Sequence, residues 1–320
     1  MRSCSLLRTS CRYFVNPARS LAVDQLGLVL SEAEELEADR EPLDVEGLEA
    51  YLMGEEMLSR ALAGEDFEPM RDRFAGQGRL PLGRVGGVIF DELAAEVGQM
   101  IGQITVLRAG PAEADQPLEV RINLHGAESA SPIRVVGHLS SFYPGGRVVQ
   151  RFAKLERPSE LTVWIEHLFL CASANHDGPD RSHLVGRGST RGSAASQVCF
   201  EEVEDAPRLL EDLVRVYQAG CRRPLPLFPK ASRKFAERLR KNPEDPKTRE
   251  KAWLDARDAF AKSGPVRAEQ DEVYVRQFFA RGDPLSLTGR PVGLEADDEY
   301  GFSRLAERVF GPLFAHRTVS

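Results

Sequence analysis

The stretch IRVVGHLSSFYPGGRVVQRFAKL (residues 133–155) contains two runs rich in β-branched residues on either side of a Pro-Gly-Gly turn. Two such runs around a short turn are typical of a β-hairpin. The sequence therefore predicts that 133–142 and 147–155 pair as antiparallel strands. The run LEVRINLHG (118–126) comes before them and alternates apolar with polar residues, which indicates a further half-buried strand.

Helical patterns lie on both sides of these strands. Leu48, Leu52, Leu58 and Leu62 fall near helical spacing within 47–64, so we expect these leucines to face the core. Three apolar-periodic segments predict further helices, over 87–107, 204–223 and 302–317. The last of these is expected to close at Gly311-Pro312, because proline ends most helices.

The predicted elements divide the chain into three parts. Residues 1–110 are mainly helical, 111–203 form a sheet core with a helix over 160–174, and 204–317 are helical again. This order predicts an α/β (α+β) fold in which a small sheet is flanked by many helices.

Composition limits the class of protein. The chain has 320 residues, of which 42% are hydrophobic and 28% charged, with a net charge of −7. No apolar run approaches 20 residues, so no membrane contact is expected. Five cysteines without a CxxC pair favour a reducing, cytoplasmic location. The Arg-rich first twenty residues lack the apolar centre of a secretory signal, so a targeting segment is not favoured.

Residues of metal-ligand type cluster in TVWIEHLFLCASANHD (162–177), which contains Glu166, His167, Cys171 and His176. A helix would place His167 and Cys171 one turn apart on one face, but Glu166 would point away from them. The competing interpretation is that Trp164, Leu168 and Cys171 face the core while His167 lies at its rim. The packing interpretation is favoured, since a metal site needs three or four ligands at workable spacing.

The order of helix, hairpin, strand and helix is similar to the core of PD-(D/E)xK nucleases. In that core, carboxylates near the ends of two strands bind Mg²⁺, and a lysine helps to position the attacking water. Here Ser140 stands where the first carboxylate would be, and Gln150, Arg151 and Phe152 stand where Asp-x-Lys would be. The two strands contain no carboxylate, so a degenerate nuclease core without its chemistry is expected.

Several segments in order resemble the C-terminal region of the RecC family, the gamma subunits of exodeoxyribonuclease V. The segments are RYFVNPARSLAVDQLGLVL (12–30), EPLDVEGLEAYLM (41–53), VWIEHLFLCAS (163–173), PLPLFPKASRKFAERL (224–239) and LAERVFGPLF (305–314). The resemblance implies one domain over 11–317. RecC proteins are much longer, and their N-terminal helicase-like portion, which scans single strands for Chi, has no counterpart here. The resemblance therefore implies a fragment of a longer gamma subunit, and it assigns no Chi recognition to this chain.

The resemblance implies a noncatalytic part of the RecBCD helicase–nuclease, which acts in double-strand-break repair and recombination. Its implied partners are RecB-like and RecD-like subunits, double-stranded DNA ends and the split single strands. Its implied role is to support subunit assembly and strand separation. No cofactor is expected in this chain, because Mg²⁺ and ATP would be used by the partner subunits.

A basic region provides the candidates for DNA contact. Residues 181–240 contain 12 basic and 7 acidic residues, although the chain as a whole has a net negative charge. The candidate phosphate contacts are Arg222, Arg223, Lys230, Arg233, Lys234, Arg238 and Arg240. The alternative is a solvated helix face with Phe235 and Leu239 as its buried stripe. Phe142 and Tyr143 could form an aromatic wedge at a fork, although inward packing is favoured.

Two other functions stay open from the residues alone. The first is an autonomous Mg²⁺-dependent PD-(D/E)xK nuclease, whose carboxylates would have to lie outside the two strands. The second is a small metal-binding regulator built on His167 and Cys171. Mg²⁺-dependent cleavage and bound zinc, respectively, would distinguish these from the noncatalytic subunit.

Overall fold

A computed structural model describes residues 6–30, 48–122, 133–155, 158–174, 178–188, 190, 193–262, 268–280, 283–285 and 298–319. The helices are α1 (Leu6–Val15), α2 (Pro17–Ser20), α3 (Leu48–Leu62), α4 (Phe67–Gly76), α5 (Arg84–Arg108), α6 (Pro158–Cys171), α7 (Ala206–Gly220), α8 (Pro229–Leu239), α9 (Pro246–Ala261), α10 (Val273–Phe279) and α11 (Phe302–Ala315). The strands are β1 (Gln116–Ile122), β2 (Ile133–Leu139), β3 (Phe142–Tyr143), β4 (Gly146–Arg151), β5 (Ser182–Gly186), β6 (Ser196–Phe200) and β7 (Arg317–Val319). The predicted mixture of helices and small sheets is confirmed.

The strands form two separate sheets. β1 and β2 pair antiparallel, with Gln116 opposite Leu139 and Ile122 opposite Ile133. The larger sheet has the order β3-β4-β5-β6-β7, and only its β4–β5 pair is parallel. Helix α6 connects β4 to β5, as a parallel pair requires a crossover connection. This βαβ unit places α6 beside both sheets, where it contacts β1 and β5.

The predicted hairpin is only partly right. β2 pairs with β1 rather than with β4, and only Phe142 and Tyr143 pair back onto Gly146 and Arg147. The chain leaves the small sheet at Ser141, whose φ of +70° lies in the left-handed region. That conformation interrupts the extended backbone, so the long β-rich run is divided between two sheets.

Helix α3 forms as predicted, but two of its four leucines do not face the core. Leu48 and Leu52 are exposed, whereas Met53, Met57 and Leu58 are buried against α5 and the large sheet. The leucine spacing was therefore the wrong guide at the start of this helix. The methionines fit the core because their unbranched side chains fill irregular gaps.

Helix α11 does not stop at Gly311-Pro312. It continues to Ala315, and the chain then adds β7 to the edge of the large sheet beside β6. Leu313 and Phe314 are buried after the proline. Their packing offsets the one backbone hydrogen bond that Pro312 cannot donate.

A buried carboxylate joins three elements of the fold. Glu160 on α6 is 0% exposed, and its Oε2 accepts a hydrogen bond of 2.5 Å from Arg233 of α8. Its Oε1 lies 2.6 Å from Nε of Arg317 in β7. Burial raises the pKa of Glu160, while the charges of the two guanidinium groups act in the opposite direction. The fold depends on this group because α6, α8 and β7 are far apart in the sequence.

Replacing Glu160 with glutamine should strongly destabilise the protein. The isosteric amide leaves two buried guanidinium groups without a counter-charge, which costs about 3–5 kcal/mol of the free energy of unfolding. Chemical denaturation followed by circular dichroism measures this. The matched control is Glu307→Gln, which removes a partly exposed pair with Arg249 and should have a much smaller effect. Equal losses in the two variants would contradict the role of Glu160.

Two glycine substitutions should have effects of opposite sign. A methyl group on Gly54 of α3 would overlap the buried ring of Phe152, so Gly54→Ala should cost about 1–3 kcal/mol. Gly98 on α5 has no neighbouring atom within 4 Å of an added β-carbon. Gly98→Ala should therefore stabilise by up to about 1 kcal/mol through helix propensity. A stability for Gly54→Ala equal to that of the parent would show that α3 does not pack on β4 as described.

Candidate functional site

The positions that a nuclease would use for metal binding lie on different sheets. Ser140 follows β2 of the small sheet, whereas Gln150 and Arg151 belong to β4 of the large one. The side chain that approaches Ser140 is a cation: Arg147 donates from Nε to the backbone oxygen of Ser140 at 3.1 Å. A guanidinium group therefore stands near the position of the first expected carboxylate.

Four carboxylates beside the large sheet are each paired with an arginine. The pairs are Glu166 with Arg147 at 2.7 Å, Glu201 with Arg181 at 2.8 Å, Glu96 with Arg187 at 2.8 Å and Glu55 with Arg151 at 3.4 Å. Glu55 also accepts a hydrogen bond from the backbone nitrogen of Phe152 at 2.7 Å. Guanidinium groups thus occupy the carboxylate oxygens that a hard cation would need. Within the described ranges, no three His, Cys, Asp or Glu side chains converge as a metal site would require.

Arg147 is the polar residue of the sheet that sequence reasoning missed. Its side chain is only 6% exposed, and it holds Glu166 of α6 against the start of β4. The available signal was an arginine directly after the Pro-Gly-Gly turn, at the second position of β4. Glu166, considered earlier as a possible metal ligand, is therefore committed to this pair.

His167 lies in the core and not at its rim, which corrects the prediction from the sequence. His167 is 0% exposed. Its Nε2 lies 2.9 Å from the backbone oxygen of Glu201 and donates to it, because a carbonyl oxygen can only accept. Its Nδ1 is left to accept from the hydroxyl of Ser182 at 3.0 Å. Burial lowers the pKa of His167 to about 4, so the ring is neutral at pH 7. Trp164 and Leu168 are buried as predicted.

The sulfur of Cys171 lies 3.4 Å from Nε2 of His167, so the helix does bring the two residues together. Burial raises the pKa of the Cys171 thiol to about 11, which keeps it protonated and a poor ligand or nucleophile. Both ring nitrogens of His167 already have partners, and His176 lies outside the described residues. The cluster therefore joins α6 to β5 and to the chain after β6, as a packing element does.

The candidate DNA contacts divide into buried and exposed groups. Arg233 is buried with Glu160, whereas Arg222, Lys230 and Arg240 are exposed and Arg223, Lys234 and Arg238 are half-buried. Partners on the protein also engage Lys234, Arg238 and Arg240. Lys234 pairs with Glu237, Arg238 pairs with Asp255, and Arg240 donates to the backbone oxygen of Phe314.

The aromatic candidates at the hairpin are buried. Phe142 and Tyr143 are 3% and 8% exposed, and Arg108 lies 4.6 Å above the ring of Tyr143. Phe235 and Leu239 form the buried stripe of α8, as expected. Across the parts of the chain that the structure describes, every helix is too short or too polar to span a membrane.

The neutral, buried state of His167 predicts a pH-dependent stability. Between pH 6.5 and 4 the unfolded chain binds a proton at this residue that the folded protein does not bind. Stability should therefore be at its full value above pH 6.5 and fall by about 3 kcal/mol as the pH falls to 4. His167→Gln should remove most of this slope in urea unfolding measured at several pH values.

The control for this measurement is His138→Gln, which changes an exposed histidine and should leave the slope intact. A smaller slope should persist in His167→Gln, because burial also lowers the pKa of His183. An unchanged slope in His167→Gln would contradict the buried neutral state.

Comparison with known proteins agrees with this geometry. The model of the RecC C-terminal domain family matches residues 7–240, from α1 through α8. The chain is 24% identical to RecBCD enzyme subunit RecC of Escherichia coli (strain K12) over 286 residues, which cover 88% of this chain and 24% of that protein. It is 28% identical to RecBCD enzyme subunit RecC of Mycobacterium tuberculosis (strain ATCC 25618 / H37Rv) over 282 residues, 87% of this chain and 24% of that one.

A third relative, RecBCD enzyme subunit RecC of Mycolicibacterium smegmatis (strain ATCC 700084 / mc(2)155), is 30% identical over 204 residues, 62% of this chain and 18% of its own length. The chain spans about a quarter of the length of the first relatives it matches. Since the family model covers most of the chain, from the first described helix to the basic helix α8, the protein belongs to the RecC C-terminal domain family.

Proposed function

We propose that this chain is the noncatalytic C-terminal domain of a RecBCD-type gamma subunit, within a cytoplasmic helicase–nuclease complex. It supports subunit assembly and strand separation at DNA ends during double-strand-break repair and recombination. The relatives named RecBCD enzyme subunit RecC support this assignment. RecB-like and RecD-like subunits are its partners, and they use the Mg²⁺ and ATP of the complex.

The observation that carries the noncatalytic role is the pairing of carboxylates with arginines around the large sheet. Glu166, Glu201 and Glu96 each lie within 2.8 Å of a guanidinium nitrogen. A nuclease centre needs carboxylate oxygens free for Mg²⁺ at the point where the phosphodiester binds. The β4-α6-β5 unit supports a degenerate PD-(D/E)xK-like core, in which arginines have replaced the metal as the counter-charge.

We also propose that the exposed cations near α8 contact DNA phosphates. Arg222, Lys230 and Arg240 are solvent-exposed, and Lys234 and Arg238 can exchange their surface partners for phosphate oxygens. Such contacts are independent of sequence and weaken with salt. Arg233 is left out of this set because it is committed to Glu160 in the interior. Phe142 and Tyr143 are left out as well, since a stacking platform must be open to bases.

Assembly is tested by co-expression. The tagged chain is produced together with the RecB-like and RecD-like subunits of the same genome and captured on its tag. We expect the RecB-like subunit in the eluate at a stoichiometric level that survives washing. An unrelated tagged domain serves as the control for background capture. Absence of both subunits from the eluate would contradict the proposed function.

The noncatalytic role is tested with an end-labelled duplex. The isolated chain should cleave it equally little in Mg²⁺ and in EDTA. Glu166→Gln removes a carboxylate beside the sheet, and Glu307→Gln removes one on α11 as the matched control. Cleavage that needs Mg²⁺ and is lost in Glu166→Gln but kept in Glu307→Gln would show an autonomous nuclease instead.

A further inference from the structure

A groove of about 700 Å³ lies along α1. Its walls come from α1, α2 and the π-helical turn Leu21–Gln25, together with β2 and the outer face of α6. α1 packs closely on β2, because a β-carbon on Gly137 would lie 2.6 Å from Cδ2 of Leu7. The groove is therefore shaped by packed elements and not by a surface loop.

The rim of the groove is cationic. Arg8, Arg12 and Arg19 line it and are exposed to solvent. Arg8 and Arg12 are one helical turn apart on α1, so their guanidinium groups lie along the same face. Among the described residues, the side chains of Arg8 and Arg19 form no ion pair, while Arg12 lies 3.5 Å from Asp24.

The two acidic residues of the groove are already engaged. Glu166 pairs with Arg147 at 2.7 Å, and Asp24 accepts a hydrogen bond of 2.7 Å from the hydroxyl of Ser20. The charge that the groove presents to a partner is consequently positive. Guanidinium groups favour carboxylate or phosphate partners through two parallel hydrogen bonds.

The floor of the groove decides between those two kinds of partner. It is formed by aliphatic side chains and a cysteine, with Leu7 and Cys11 buried and Val15 39% exposed. None of the described lining residues is Phe, Tyr or Trp, and His138 supplies the one aromatic ring among them, so the run of large stacking rings that single-stranded nucleic acid uses is missing. An aliphatic floor between arginines instead matches an amphipathic protein segment that carries aliphatic and acidic side chains.

We propose that this groove is a docking site for such an amphipathic, acidic segment of a partner protein. The aliphatic side chains of the segment lie on Leu7, Val15 and Val23, and its carboxylates pair with Arg8, Arg12 and Arg19. The inference rests on the proposed function in one respect, since the partner is sought among the RecB-like and RecD-like subunits.

The experiment compares variants of the full chain in binding to the purified RecB-like and RecD-like subunits. Arg8→Glu combined with Arg19→Glu reverses the charge of the rim. Val23→Ser makes the floor less apolar without changing its charge. The matched control is Arg73→Glu combined with Arg84→Glu, which makes the same charge change at exposed arginines on α4 and α5. Thermal melting confirms that all variants are folded, and a labelled dT20 oligonucleotide serves as the nucleic-acid probe.

We expect the rim variant to weaken binding of one subunit at least tenfold, and Val23→Ser to weaken it about threefold or more. The control should bind like the parent, and dT20 binding should change little in the floor variant. Equal subunit binding by parent and rim variant would overturn the docking site while leaving the proposed function intact. Loss of dT20 binding in the rim variant alone, with subunit binding unchanged, would identify a phosphate site instead. Failure of the parent chain to bind either subunit would remove both proposals.

Discussion

The buried carboxylate of Glu160 is a polar constraint that links distant parts of this fold. It accepts from Arg233 and lies beside Arg317, so it ties α6 to α8 and to β7. A lone buried charge would be strongly destabilising, and each of the three groups is acceptable in the interior only because the others are present. The seven basic residues near α8 are therefore not one surface, because Arg233 is committed to the interior.

Pairs of a carboxylate with a guanidinium group also occur around the large sheet. Glu166, Glu96 and Glu201 are held by arginines that arise from β4 and from the residues flanking β5. In a metal-dependent nuclease, a divalent cation would compensate such carboxylates and activate water. A guanidinium group compensates the charge but activates nothing. The sheet thus carries paired carboxylates along its length, which suits a domain whose proposed task is to hold subunits and guide strands.

The sequence predicted the helices of this protein better than its strand pairing. Apolar periodicity placed α5, α6 and α7 correctly, because a helix satisfies its own backbone hydrogen bonds within one segment. Strand partners are chosen by distant segments, so the β-rich run at 133–155 gave no sign that β2 would pair with β1. The positive φ of Ser141, which divides that run between two sheets, is a property of the folded chain. β7 escaped prediction for the same reason, since three residues form a strand only beside β6.

By itself, the sequence determined the fold class, the core of α6 around Trp164 and Leu168, and the missing carboxylates of β2 and β4. Those properties depend on residue type and local spacing, which a single chain displays directly. Only the tertiary structure decided that His167 is buried and neutral, that Arg233 is an internal ion-pair partner and that Arg8, Arg12 and Arg19 line one groove. Burial and charge pairing depend on what residues distant in the chain bring to the same place, and spacing along one helix does not contain that information.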